Sequence, residues 1–160
     1  MKTTRTLFLI FTVFAIGINA YAQEEKRPLM GNSYGIINID EYVTLLPKTH
    51  NGIIKDIRLI DREHAGVRIF RLYDEVPIHY HAKSDAYLYI LNGKAEFYVA
   101  DKGPVVAGKG DLLFWGKGTA HGNGKILEGP LDVLVFDAIA RDPSDVIWVD
   151  PSTQKKFLGN

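Results

Sequence analysis

The 160-residue chain contains no cysteine. That excludes disulfide bridges, a thiol nucleophile, cysteine-ligated zinc and iron–sulfur clusters. Any bound metal must be held by histidine, aspartate, glutamate or backbone oxygen. An excess of either charge is missing too, with 19 basic residues against 19 acidic ones. Nucleic acid is gripped through a basic face that releases counterions, and an anionic membrane surface is attracted by the same charge. Neither partner is expected. No glycine-rich loop follows a strand and opens a helix, and no Gly-x-Ser-x-Gly elbow is present, so nucleotide binding and serine hydrolysis lack their motifs. No apolar run approaches the ~20 residues that span a bilayer. What remains is an ordinary globular composition, 46% hydrophobic and 24% charged, of a length that makes one compact domain the expectation.

The first segment reads as an address. Lys2 and Arg5 precede an apolar run from Leu7 to Ile18, and Ala20-Tyr21-Ala22 forms a small-x-small cleavage site. That is the layout of a secretory signal peptide over residues 1–22, cleaved after Ala22, and it predicts export to the periplasm or beyond with no stable membrane anchor. Residues 23–34 read as a loose N-terminal arm, 35–150 as a single barrel domain and 151–160 as a tail. An exported chain without disulfides has to be stabilised by burial alone.

Most of that domain patterns as short strands. Ile53 to Ile60 and Val67 to Tyr73 are rich in β-branched and aromatic residues and alternate partly with charged ones. Ala86 to Leu91 and Lys94 to Ala100 flank Asn92-Gly93, a pair suited to a two-residue type I′ turn, so a hairpin is expected there. Further strands are expected at Asp111 to Trp115 and Leu131 to Ile139. Gly103-Pro104, Gly108-Lys109-Gly110 and Gly122-Asn123-Gly124 read as turns between them. Only Asp40 to Leu46 looks helical, with Asp40 as N-cap and Pro47 beyond its end. Closely spaced strands with turn signals predict an all-β sandwich or barrel.

Five histidines stand out, at 50, 64, 79, 81 and 121. His79-Tyr80-His81 lies in an extended stretch, where residues two apart share a face, so His79 and His81 present two imidazoles together and Tyr80 turns away. That spacing suits one metal ion at ~2.0–2.1 Å from each nitrogen; two exposed strand histidines would share it. His50 and His64 fall in polar turns and read as solvated loop residues. Asp111 reads as a turn residue that bonds nearby amides. Arg71 and Glu96 become functional suspects if the register turns either charge inward.

The stretch from Pro77 through His79, His81, Asp85 and Ala86 to Gly93 resembles the first motif of the cupin family: two histidines one apart, an acid a few residues on, a strand and a turn glycine. The stretch from Gly110-Asp111 through Gly116 and Gly118 to His121 resembles the second. The resemblance implies a double-stranded β-helix (jelly-roll) barrel with a divalent metal near its mouth, held by His79, His81 and His121. This sequence departs from the family at the usual glutamate ligand, where Ala86 stands. Asp85 is adjacent and becomes a fourth ligand only if a bulge turns it inward, against strand alternation. Three histidines without a carboxylate favour zinc, iron(II), copper or nickel; an Asp85 ligand would make iron(II) and manganese more comfortable.

The same resemblance implies a metal-dependent enzyme of dioxygenase, isomerase or lyase type acting on a small organic acid, sugar or phenolic, with Asp85, Tyr87 and Glu96 as acid or base candidates by position. A non-catalytic module binding a metal or small ligand is the second reading, and a structural barrel with vestigial histidines the third. A small-molecule ligand and a homodimer paired through strand edges are the expected partners.

Overall fold

The computed structural model describes residues 34–139 and 142–153. The expected leader, nearly all of the expected arm and most of the expected tail lie outside the described residues. Among the described residues eight strands form one curled sheet: β1 (Ile54–Arg62), β2 (Ala65–Leu72), β3 (Val76–Tyr80), β4 (Asp85–Val99), β5 (Lys102–Gly108), β6 (Leu112–Trp115), β7 (His121–Ala138) and β8 (Ile147–Trp148). Two strands are long enough to serve in two layers. The C-terminal half of β7 lies between β2 and the start of β4, and β6 closes that layer against Ala86–Tyr89. The N-terminal half of β7 lies between β3 and the end of β4, with β8 and β5 outside them. This is the expected double-stranded β-helix, folded at a corner that β4 and β7 turn together.

That corner corrects one expectation. Asn92-Gly93 is not a hairpin turn; β4 runs through it without a break and pairs with β7 on both sides. Register shifts occur around Asn92 and Lys94, and the buried positions slip from even (Ala86, Leu88, Ile90) to odd (Ala95, Phe97). A β-bulge has this effect: an extra residue bends the strand and resets which side chains face inward. Gly93 has φ +85°, and a Cβ there would sit 2.5 Å from the Pro130 carbonyl oxygen and 2.6 Å from that of Glu128. Turn and bulge both demand such a glycine, so the local signal is genuine while its partner, the Glu128–Leu131 stretch, lies far along the chain.

Two further glycine stretches are strand rather than turn. Gly103-Pro104 falls inside β5, an edge strand in which proline's missing N–H is tolerated. Gly122-Asn123-Gly124 falls inside β7, so that strand begins ten residues before Leu131; a Cβ on Gly122 would lie 2.6 Å from the Val76 carbonyl oxygen. Glycine here lets β3 and β7 approach closely.

The main core fills the space between the layers, with Ile90, Leu131, Val133 and Val135 fully buried. Each such side chain contributes about 1.5–3 kcal/mol, which stands in for the missing disulfides. A second cluster of Leu46, Leu59 and Ile69 is covered by the helix α1 (Ile39–Thr44) and its flanks. The helix begins one residue earlier than expected, and its N-cap is Asn38, not Asp40. Asn38 is extended and its side chain accepts from the Asp40 N–H at 3.1 Å, while Asp40 is already helical.

Arg71 belongs to this outer side. Its guanidinium meets Asp132 at 2.6 and 2.9 Å and donates to the Leu46 and Pro47 carbonyls at 2.9 and 3.1 Å, clasping the segment after α1 to the sheet. The hydrogen bonds to Asp132 raise its pKa above the usual value. Asn92 donates to the same carboxylate at 3.1 Å, so the corner is tied into the clasp. Arg71 therefore has a partner and a structural task.

Candidate metal centre

His79 is the penultimate residue of β3 and pairs directly across from His121, the first residue of β7. His81 follows β3 by one position. The alternation expected from sequence holds: His79 and His81 are buried and Tyr80 is not. His121 is buried with them. The ring centroids are 4.4 Å apart for His79–His121 and 5.1 Å for each of the other pairs. One ligand nitrogen from each of the three lies within 4.8 Å of the other two.

Second partners fix which nitrogen faces inward. The Nδ1–H of His79 donates to the Pro77 carbonyl, that of His121 to the Thr119 carbonyl and that of His81 to the Asp145 carbonyl, each at 2.8 Å. A carbonyl oxygen only accepts, so each Nδ1 carries a proton and Nε2 is the ring atom left to ligate a metal. Three imidazole nitrogens this close together match the donor set of an open metal site. The residues fit a divalent transition ion, with positions left for water or a ligand.

Asp145, for which the sequence carries no signal, holds His81 through an unusual arrangement. Its carboxylate accepts from the Ala82 N–H at 2.9 Å, from the Lys83 N–H at 3.1 and 3.2 Å and from the Ser84 hydroxyl at 3.2 Å. The loop after His81 is thus bound to the short 3-10 turn Pro143–Asp145, and the backbone of that turn orients the imidazole. Two tryptophans complete the surround. Trp115 stacks on His121 at 4.0 Å and Trp148 packs on His79 at 5.1 Å.

Asp85 is not brought into this cluster. Its Oδ1 accepts from the Lys117 N–H at 2.8 Å, closing the loop between β6 and β7. Ala86 faces inward as alternation requires and lines the cavity that the histidines open into. His50 and His64 are exposed, the first against Tyr73 and the second beside Glu63. Asp111 accepts from the Gly108 N–H at 2.8 Å, the turn role expected of it.

The cavity has a volume of about 360 Å³. Phe70, Leu88, Phe97 and Trp115 give it an apolar lining, and Asp56, Arg58 and Arg68 supply polar wall on β1 and β2. Neither Tyr87 nor Glu96 lines it. Tyr87 is 41% exposed and faces outward. Arg68 is buried, yet its charge is secured: burial works against the cation, and the carboxylates of Asp137 and Asp56 outweigh that cost and raise its pKa. An arginine within an alternating apolar strand is its only trace in the sequence, and alternation alone does not say which of Arg68 and Arg71 turns inward.

A two-layer jelly roll with three histidines at the junction of β3 and β7 defines the cupin class, and the comparisons agree. Residues 73–137 match the family described as Cupin domain. That stretch is a cupin domain, and all three histidines lie within it. Among solved structures it is similar to KdgF from Halomonas sp. (18% identity, TM-score 0.53, covering 57% of this chain and 85% of that one). It is also similar to a variant of PAC13 from Streptomyces solved with uridine (18% identity, TM-score 0.55, covering 68% and 88%). A third is the DMSP lyase DddQ from Ruegeria pomeroyi DSS-3 (21% identity, TM-score 0.53, covering 61% and 52%). At these identities the likeness is one of fold. A search of curated proteins finds no match to the sequence.

Proposed function

We propose that this cupin domain is a metal-dependent enzyme of dioxygenase, isomerase or lyase type, exported by its leader and acting on a small organic molecule in the cavity. The observation that carries the metal reading is that all three Nδ1 atoms donate to backbone carbonyls while the three rings offer ligand atoms within 4.8 Å of one another. His79, His81 and His121 would hold the ion. When bound, it would polarise a substrate oxygen or activate dioxygen. The apolar lining would desolvate the ligand, and Trp115 would brace His121 against it.

A second reading, a binding module without turnover, has its own support. The carboxylates nearest the cavity are committed: Asp56 and Asp137 to Arg68, and Asp85 to Lys117. Asp56, the described carboxylate on the cavity wall, is tied to Arg68 through one of its oxygens, which holds it as a charged partner and not as a proton carrier. Metal analysis of untagged protein tests the shared foundation. Wild type should retain a divalent transition ion and both His79→Ala and His121→Ala should lose it; equal metal content in all three would end both readings. Oxygen uptake and product analysis on the iron-loaded protein with a panel of small acids, sugars and phenols then separates enzyme from binder.

A further inference from the structure

The wall that β1 and β2 give to the cavity carries a charge pattern the metal site does not use. Arg68 donates from Nε to Asp137 at 2.8 Å and from Nη1 to Asp56 at 2.7 Å, and its guanidinium lies 5.3 Å over the Phe70 ring. Its Nη2 has no hydrogen-bond partner among the described residues, and neither has Asp56 Oδ1, although both side chains line the cavity. Asp137 Oδ1 is buried without a partner as well.

A lone guanidinium in an apolar pocket invites a carboxylate, through a bidentate fork. Here two carboxylates already hold it, so the local sum is one negative charge, and Arg58, which shares the wall, is neutralised by Asp61 at 2.8 Å. A third carboxylate would face two like charges inside a cavity whose remaining lining is largely apolar, where their repulsion is poorly screened. A neutral oxygen meets no such barrier. It can accept from Nη2, and a hydroxyl can also donate to Asp56 Oδ1.

We propose that the cavity selects a compact, largely apolar molecule whose oxygen function at Arg68 is uncharged, an alcohol, phenol, ketone or amide, and that it rejects the matching carboxylate. Among the acids, sugars and phenolics the family resemblance allows, this favours phenolic and neutral hydroxylated ligands. Asp56 is then a specificity-determining residue, because its charge and not its shape excludes the acid.

The inference rests on the cavity being the ligand site, as proposed above, but not on the metal. The test uses the full chain and two matched pairs, benzyl alcohol with benzoate and cyclohexylmethanol with cyclohexanecarboxylate, with affinities read by ligand-observed NMR. The ratio is measured on the metal-free protein, where no ion recruits the carboxylate. Each alcohol is expected to bind at least about tenfold tighter than its acid. Asp56→Asn, which keeps the hydrogen bond and removes the charge, should cut that ratio by about tenfold, and Arg68→Lys should weaken the alcohol. Acids that bind wild type as well as the alcohols, an unchanged ratio in folded Asp56→Asn, or no binding by either pair would overturn the proposal. A parallel zinc titration reports on the metal reading separately, so the two can fail independently.

Discussion

Replacing Asp145 by alanine removes a residue whose side chain lies outside the histidine triad and should still release the ion. Three donors, the Ala82 and Lys83 amides and the Ser84 hydroxyl, lose their buried acceptor at once. An orphaned buried donor costs about 1–3 kcal/mol, so the 3-10 turn should come away from the loop and lower the stability of the metal-free protein by a few kcal/mol. The second effect is specific to the centre. Once the turn moves, the Asp145 carbonyl no longer holds the Nδ1 proton of His81, and the ring is free to rotate and change tautomer. Loss of such an outer partner lowers metal affinity by roughly 10–100-fold. The assay is zinc affinity by chelator competition, with circular dichroism to establish that the variant is folded. Asp145→Asn retains one carboxamide oxygen and should recover part of the affinity. Folded Asp145→Ala with wild-type zinc affinity would refute the reasoning, because stability alone could then account for everything the residue does.

Other expectations follow from the same geometry. Asp132→Ala strands the buried Arg71 guanidinium and should cost about 3–5 kcal/mol in urea unfolding, whereas breaking the exposed Lys94–Glu128 pair should leave the unfolding midpoint nearly unchanged. Gly93→Ala forces a Cβ against two carbonyl oxygens at a left-handed position and should destabilise by more than about 1 kcal/mol, with a lower thermal midpoint as the readout. Ala86→Glu puts a carboxylate among the cavity-lining positions and should raise manganese retention relative to zinc; an unchanged metal preference in folded protein would count against Ala86 facing the ion. Metal binding requires neutral imidazoles, so occupancy should fall as the pH is lowered, with proton uptake accompanying release.

Strand periodicity, the His-x-His spacing and the second motif are all legible in the sequence, because each is a short-range pattern that the pleat converts directly into a shared face. The corner is not. Gly93 announces positive φ, but whether the chain turns back or bends onward depends on Glu128–Leu131, more than thirty positions away. The same distance hides the clasp at Arg71, whose carboxylate sits on β7, and the support of His81, which comes from a turn beyond the stretch that matches the family. Arg68 and Arg71 look equivalent as letters in a strand. Only the pairing of β2 with β1 and β7 assigns one to the cavity and the other to the opposite side.

The chain has two tryptophans, and both rest against histidines of the centre, Trp115 on His121 and Trp148 on His79. Every ultraviolet-excited indole in the protein is therefore a built-in optical probe of that one location. Quenching by copper or nickel, or a brightness change with zinc, would follow occupancy in real time without a label, and single Trp→Phe variants would tell which side of the triad the ion reaches first.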